Sequence, residues 1–337
     1  MLPIDKRVRE LALPADGKLS DAMLRATEPY VVRGLADAWP LVQAARRSSQ
    51  EASAYLRGFY RDASVQAMLG HPDIRGRFFY NEDLTGFNYR SVRARLDGVL
   101  EELAVQAAQE RPGAIYVGST HIDATLPGLR EHNDVDLGGR EALASIWIGN
   151  RTRIAAHYDA PDNVAVVAAG RRRFTLFPPG QLANLYVGPL DFNPAGQAIS
   201  LVDFHDPDPA RFPRFATALD HAQVAELEAG DAVFIPSMWW HHVEALESFN
   251  VLVNYWWRQS PDYMDTPTNT LMMALLSMRE LPPEQRRHWQ EIFRHYIFEP
   301  SEESLAHIPS GARYALAPLD EDGARMLRAQ VLKRINR

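Results

Sequence analysis

The sequence predicts a mainly β protein with flanking helices: an antiparallel barrel with an α/β extension before it and a helical segment after it. Three observations carry this. From about Gly113 the chain breaks into short runs rich in β-branched and aromatic residues, separated by Gly, Pro, Asn and Asp, with no helix-length pattern between them. Before that point the pattern is mixed, and after Ser260-Pro261 it takes the 3.6-residue period of helices. The resulting expectation is an extension over 1–112, a barrel core over 113–260 and a helical segment over 261–337.

In the extension, Ser20-Asp21 can cap a short helix and Tyr30-Val31-Val32 reads as a strand ending at Gly34. A helix follows near Glu51 to Tyr60, then a short strand at Arg77-Phe78-Phe79-Tyr80. Ser91 opens another helix, with Val92, Leu96, Val99, Leu100 and Leu103 at helical spacing. This part reads as a lid or buttress with no chemistry of its own.

The barrel runs are Ala114 to Val117, Ala144 to Ile148, Ile154 to Asp159, Asn163 to Ala168, Arg171 to Phe177, Ala232 to Ile235, His241 to Leu246 and Asn250 to Trp257. Gly149-Asn150, Ala169-Gly170 and Gly230-Asp231 are turn signals between or before them. Leu182 to Pro213 is proline-rich and aperiodic, a long inserted loop of the kind that usually serves function. Behind the barrel, Leu271, Met272, Leu275, Leu276 and Met278 form one apolar helical face. Trp289, Ile292, Phe293, Tyr296 and Ile297 form a second, and Leu327, Val331 and Ile335 a third. Faces this broad must be covered, either by packing on the barrel or by pairing with a second copy, and the width of the first face makes a homodimer the expectation.

Composition narrows the function. With 337 residues, 46% hydrophobic and 23% charged, the chain can bury a substantial core. The net charge of −7 argues against a general polyanion-binding surface, so no nucleic acid partner is expected despite Arg171-Arg172-Arg173 and Lys333-Arg334. There is no cysteine, which removes disulfides, thiolate metal sites and a cysteine nucleophile together. Any metal is left to His, Asp and Glu. The charged start, Met1 to Arg7, lacks the apolar centre of a signal peptide, and no apolar run reaches membrane-spanning length; the expected location is the cytoplasm, with no membrane partner.

The chemistry centres on His157-Tyr158-Asp159. In an extended strand, residues two apart project from one face, so His157 and Asp159 point together. A histidine from Trp240-His241-His242 completes a 2-His-1-carboxylate triad, the set that holds non-heme Fe(II) and leaves positions open for substrate and O₂. His241 shares a face with Val243 and Ala245, and His242 with Trp240 and Glu244, so only one of them can face the interior.

Arg172 stands with Phe174 and Leu176 on the apolar side of its strand, while Arg171, Arg173 and Thr175 take the other. A cation there needs an anion, either a structural ion pair or the far carboxylate of a dicarboxylate, whose shape suits a guanidinium fork. Asn254 interrupts an apolar strand and needs a hydrogen-bond partner. Tyr116 and Trp147 read by pattern as core aromatics, and Trp239-Trp240 and Trp256-Trp257 as packing.

A family resemblance now follows. His157-Tyr158-Asp159, Asn163, Gly170 through Phe177-Pro178-Pro179, Leu185-Tyr186, Val202-Asp203-Phe204 with Pro207-Asp208 and Arg211-Phe212-Pro213, Gly230-Asp231, Ile235-Pro236 and Trp239 to His242 resemble the JmjC-type, cupin-like 2-oxoglutarate oxygenases. The nearest likeness is to the asparaginyl hydroxylase that inhibits hypoxia-inducible factor and its bacterial cupin-like relatives. The resemblance spans about 113–258 and extends more loosely to the C-terminal helices, which form the dimer in that hydroxylase.

It implies a double-stranded β-helix, or jelly-roll, core in which His157, Asp159 and His241 bind Fe(II). Tyr116 and Arg172 would hold the far carboxylate of 2-oxoglutarate, and Asn163 and Asn254 would line the cosubstrate and the iron. Two positions depart from that hydroxylase: Arg172 stands for a lysine, and Ile154 for a hydroxyl residue three before the first histidine. The implied reaction hydroxylates a C–H bond on a peptide or protein side chain, consuming O₂ and giving succinate and CO₂. Hydroxylation of a free small molecule such as an amino acid derivative, N-demethylation, a cupin-type reaction on another metal, and a non-catalytic cupin-like binding module are the alternatives.

Overall fold

A computed structural model describes Leu2 and residues 4–194 and 196–336; Met1 and Pro3 of the charged start, Ala195 of the proline-rich loop, and Arg337 lie outside the described residues. The chain divides into two compact units, Met1–Trp257 and Arg258–Arg337.

Among the described residues, the first unit is built on fourteen strands. In the N-terminal part these are β1 Arg9–Glu10, β2 Tyr30–Val32, β3 Ser64–Gly70, β4 Arg77–Phe78 and β5 Tyr89–Arg95. They are followed by β6 Ala114–His121, β7 Leu143–Gly149, β8 Arg153–His157, β9 Asp162–Ala169 and β10 Arg172–Phe177. The last four are β11 Gln223–Leu227, β12 Ala232–Ile235, β13 Trp240–Ala245 and β14 Asn250–Trp257. A large sheet runs in the order β1-β2-β12-β9-β14-β7-β6-β3-β5, and a small one in the order β11-β10-β13-β8-β4. All pairings are antiparallel except β1 with β2 and β4 with β8. From β7 to β14 the chain passes back and forth between the sheets, four strands in each, which is the jelly-roll path of a double-stranded β-helix.

Strand β9 shows how the layers form. All eight of its residues are buried, because both faces are covered. Val164, Val166 and Ala168 face outward into a core shared with Leu41 and Val42 of helix Pro40–Arg47, which packs on this strand, and extended by Leu56, Leu100 and Leu103 of helices Ser49–Phe59 and Leu96–Ala107. Ala165 and Val167 face inward, toward Phe174, Leu176, Val243 and Leu252 of the barrel interior. Each fully buried valine or leucine in these layers contributes on the order of 1.5–3 kcal/mol.

The N-terminal part departs from the expectation at one helix. Tyr89–Arg95 is strand, and the helix begins only at Leu96. Val92 does lie one helical turn before Leu96, but Val92 and Ala94 also alternate with Ser91 and Arg93, and pairing along all of β3 decides for the strand. The strands Ser64–Gly70 and Gln223–Leu227 add to those expected.

The proline-rich insertion covers the outer face of the small sheet. Leu185, Val202, Phe204, Phe212 and Phe215 pack there on Ala156, Phe177 and Trp240. Arg173 and Thr175, on the side of β10 assigned as polar, are therefore buried, and Arg173 pairs with Glu226 at 3.6 Å.

The second unit is helical, with Pro267–Met278, Pro283–Phe293 running into a π turn at Arg294–Phe298, and Glu321–Ile335. The last helix is N-capped by Asp320, whose side chain accepts from the Gly323 amide at 2.7 Å. Among the described residues no helix is long and apolar enough to cross a membrane.

Candidate metal centre

His157 ends β8 and lies directly across from His241 on β13. Their rings are 4.3 Å apart centre to centre. Each ring is fixed by the backbone two residues before it: Nδ1 of His157 is 2.9 Å from the carbonyl of Ala155, and Nδ1 of His241 is 3.0 Å from that of Trp239. A carbonyl only accepts, so Nδ1 carries the proton in both rings and Nε2 is left with a free lone pair. Asp159 supplies the third donor, one of its oxygens lying 3.6 Å from Nε2 of His241. One ligand atom from each of the three can be chosen so that all lie within 4.8 Å of one another.

Asp159 differs from the expectation in its placement. It lies two residues beyond the end of β8, so strand alternation does not orient it. Its carbonyl accepts from the Met238 amide at 2.8 Å, and Oδ2 accepts from Nε1 of Trp256 at 3.1 Å. His241 is 4% exposed, and burial, with His157 adding to it, pushes its pKa down to about 4. The ring is neutral well below pH 7, the form a metal requires.

The triad opens onto a cavity of about 490 Å³ inside the barrel, walled by Phe174, Leu252, Ile235 and Val243. Tyr116, Asn163, Arg172 and Asn254 all line it. Arg172 is 2% exposed, and its Nε and Nη2 have no hydrogen-bond partner. Burial lowers its pKa to about 10, and the one opposing influence is Tyr116, whose own phenol is raised by burial. Asn254 donates from Nδ2 to Oδ1 of Asn163 at 2.8 Å, leaving its own Oδ1 unpartnered. Buried donors and acceptors are rarely left this way, so one cavity that gathers them fits a polar, anionic occupant.

A bulge in the β8–β13 pairing lies between the His157–His241 and Ile154–Val243 pairs. It lets Ile154 and His157, three apart, both face the cavity. No hydroxyl is offered at Ile154. His242 points the other way, into the insertion: its ring is 4.5 Å from that of Phe204, and it does not line the cavity.

Sequence patterning passed over several residues that the cavity includes. Gln66 and Met68 of β3 and Phe78 of β4 line it, so the N-terminal part does contribute to the site. Trp147 stacks on Tyr116 at 5.7 Å and meets Trp256 edge-on at 5.7 Å. A period-two count along β14 was the available signal for Trp256, since it shares a face with Asn254 and Leu252.

Eight strands shared between two sheets, with two histidines and a carboxylate gathered on one cavity, define a jelly-roll protein with a candidate metal site. The family model for a cupin-like domain matches residues 17–263, and the chain belongs to the JmjC-type cupin oxygenase family. It is 28% identical over 268 residues to the lysine-specific demethylase JMJ31 of Arabidopsis thaliana, covering 71% of this chain and 48% of that one. It is 34% identical over 145 residues to human tRNA wybutosine-synthesizing protein 5, covering 39% and 43%. It is 30% identical over 164 residues to human HSPB1-associated protein 1, covering 47% and 33%. The chain thus spans less than half the length of each of these relatives.

Proposed function

We propose that this chain is an Fe(II)- and 2-oxoglutarate-dependent oxygenase that hydroxylates a C–H bond of a peptide or protein side chain. The observation that carries the reading is Arg172, a buried guanidinium with two unpartnered nitrogens in the cavity that the triad overlooks. An unpaired buried cation is costly, and a carboxylate in that cavity removes the cost.

The donor set suits Fe(II), with two imidazole nitrogens and one carboxylate oxygen. Bound there, the metal would use O₂ and 2-oxoglutarate to oxidise the substrate, releasing succinate and CO₂. His157, Asp159 and His241 would hold the metal, and their backbone hydrogen bonds keep each imidazole in the ligating tautomer. Arg172 and Tyr116 would bind the far carboxylate of 2-oxoglutarate. Asn254, steadied by Asn163, would offer its free Oδ1 to a donor beside it. Phe174, Leu252, Ile235 and Val243 would keep water from that end.

The cavity mouth supports a side chain as substrate. Gln66, Ser119, Leu143 and Gln197 line it, a neutral and partly exposed rim beside the metal. The name of the Arabidopsis relative supports a second reading, hydroxylation of an N-methyl group with loss of formaldehyde. The C-terminal unit would serve as a homodimer surface: Leu276, Ile297 and Phe298 are 76%, 62% and 74% exposed.

The test is succinate formation by the purified chain with Fe(II), 2-oxoglutarate, O₂ and a pool of peptides, followed by NMR. The reading requires succinate that His157→Ala abolishes and a mass gain of one oxygen, or loss of a methyl group, on a peptide. Equal succinate from His157→Ala would overturn it.

A further inference from the structure

We propose that Trp256 is a positioning residue for the metal's carboxylate ligand, its indole N–H aiming Asp159 at the metal in place of a strand. The inference rests on the reading that His157, Asp159 and His241 bind a divalent metal.

The three ligands are not held alike. Each histidine is locked by a carbonyl two residues before it in the chain. Asp159 has left β8, its side chain is 19% exposed, and a free carboxylate there could turn away from the two imidazoles. Its backbone is tied to Met238, which fixes where the residue starts but leaves the side-chain torsions open. The Trp256 bond closes them.

The donor is far more rigid than the acceptor. Trp256 lies on β14, which is hydrogen-bonded on both sides, with Leu143 of β7 and Asn163 of β9 as its neighbours in register. Its ring is braced edge-on by Trp147, at an interplanar angle of 83°. Trp147 in turn stacks on Tyr116. A loop residue is thus oriented by a donor built into the centre of the large sheet, 97 positions away in sequence.

The chemistry of the donor also fits. An indole N–H gives one hydrogen bond, carries no charge and does not titrate in the working range. It orients the carboxylate without bringing a positive charge of its own to the pair. An arginine or lysine in that position would compete with the metal for the charge.

The experiment separates the N–H from the ring. Trp256 is replaced in the full chain by β-(3-benzothienyl)alanine, which puts sulfur where the N–H stood and keeps the bicyclic shape, and separately by Trp256→Phe. Co(II) is titrated into each metal-free protein and followed by its visible d–d absorption. Outer-shell partners of metal ligands are worth about 10- to 100-fold in affinity, and the expected Co(II) Kd rises by that factor in the benzothienyl protein. A benzothienyl protein that binds Co(II) within twofold of the native chain overturns the role, whatever Trp256→Phe does to folding. A His157→Ala chain that binds Co(II) like the native one instead overturns the metal site beneath the inference.

Discussion

Replacing Arg172 with methionine removes the guanidinium while keeping an unbranched stem in the same slot. Burial lowers the Arg172 pKa from its usual high value to about 10, with Tyr116 opposing the shift. At about 1.4 kcal/mol per pH unit, the charged form is on the order of 3 kcal/mol less stable in the folded chain than in the unfolded one. The sign follows from protonation. At pH 7 the guanidinium is charged in both states, so the whole penalty is present there, and it is relieved only as the pH rises above about 10. Arg172→Met therefore raises the stability of the ligand-free chain, by about 1–3 kcal/mol once lost packing is discounted. A saturating ligand works oppositely: 2-oxoglutarate at about 100 times its Kd stabilises the native chain by about 2.7 kcal/mol. Thermal unfolding with Mn(II), with and without 2-oxoglutarate, reads both effects. The expected pattern is a higher midpoint for the variant without ligand and no shift when 2-oxoglutarate is added. A variant that melts lower and still shifts with 2-oxoglutarate would show that Arg172 is a structural cation with no part in anion binding.

Three other outcomes follow from the same structure. Burial lowers both His241 and His242 to about 4, so between pH 6.5 and 4 the unfolded chain takes up protons that the folded chain refuses. Urea unfolding of the metal-free protein should lose up to about 1.4 kcal/mol per histidine for each pH unit in that window, and a flat profile contradicts the burial of these rings. A β-carbon on Gly118 would sit 3.0 Å from the Trp147 ring and 3.2 Å from the Tyr116 ring, so Gly118→Ala should cost about 1–3 kcal/mol and weaken 2-oxoglutarate more than Co(II). Calorimetric titrations showing equal losses for both ligands would place the damage elsewhere. Light scattering of a chain cut before Thr266 should give the mass of a single truncated chain, and a dimer of truncated chains would remove the C-terminal helices from the dimer interface.

Much of this was legible because period-two patterning survives wherever strands form a closed barrel. Arg172 was separable from Arg171 and Arg173 by its neighbours Phe174 and Leu176, and the structure buries it on the inner face with them. His241 and His242 could be divided by face, though which face was interior came only with the resemblance. What patterning could not show depends on contacts between distant segments. The Tyr89–Arg95 strand exists because β3 pairs with it, against a helical spacing that begins at Val92. Arg173 and Thr175 are buried because the small sheet's outer face is covered. Asp159 was placed on a strand it has already left, and the bond that holds it comes from a tryptophan read as packing.

The most direct test of the triad and Arg172 together is the visible spectrum of the purified chain under anaerobic conditions with Fe(II) and 2-oxoglutarate. Chelation of 2-oxoglutarate to iron held by His157, Asp159 and His241 should give a weak charge-transfer band that is lost in His157→Ala. In Arg172→Met, the band should require much higher 2-oxoglutarate. No band in the native chain, at any 2-oxoglutarate concentration, would contradict the proposed cosubstrate outright.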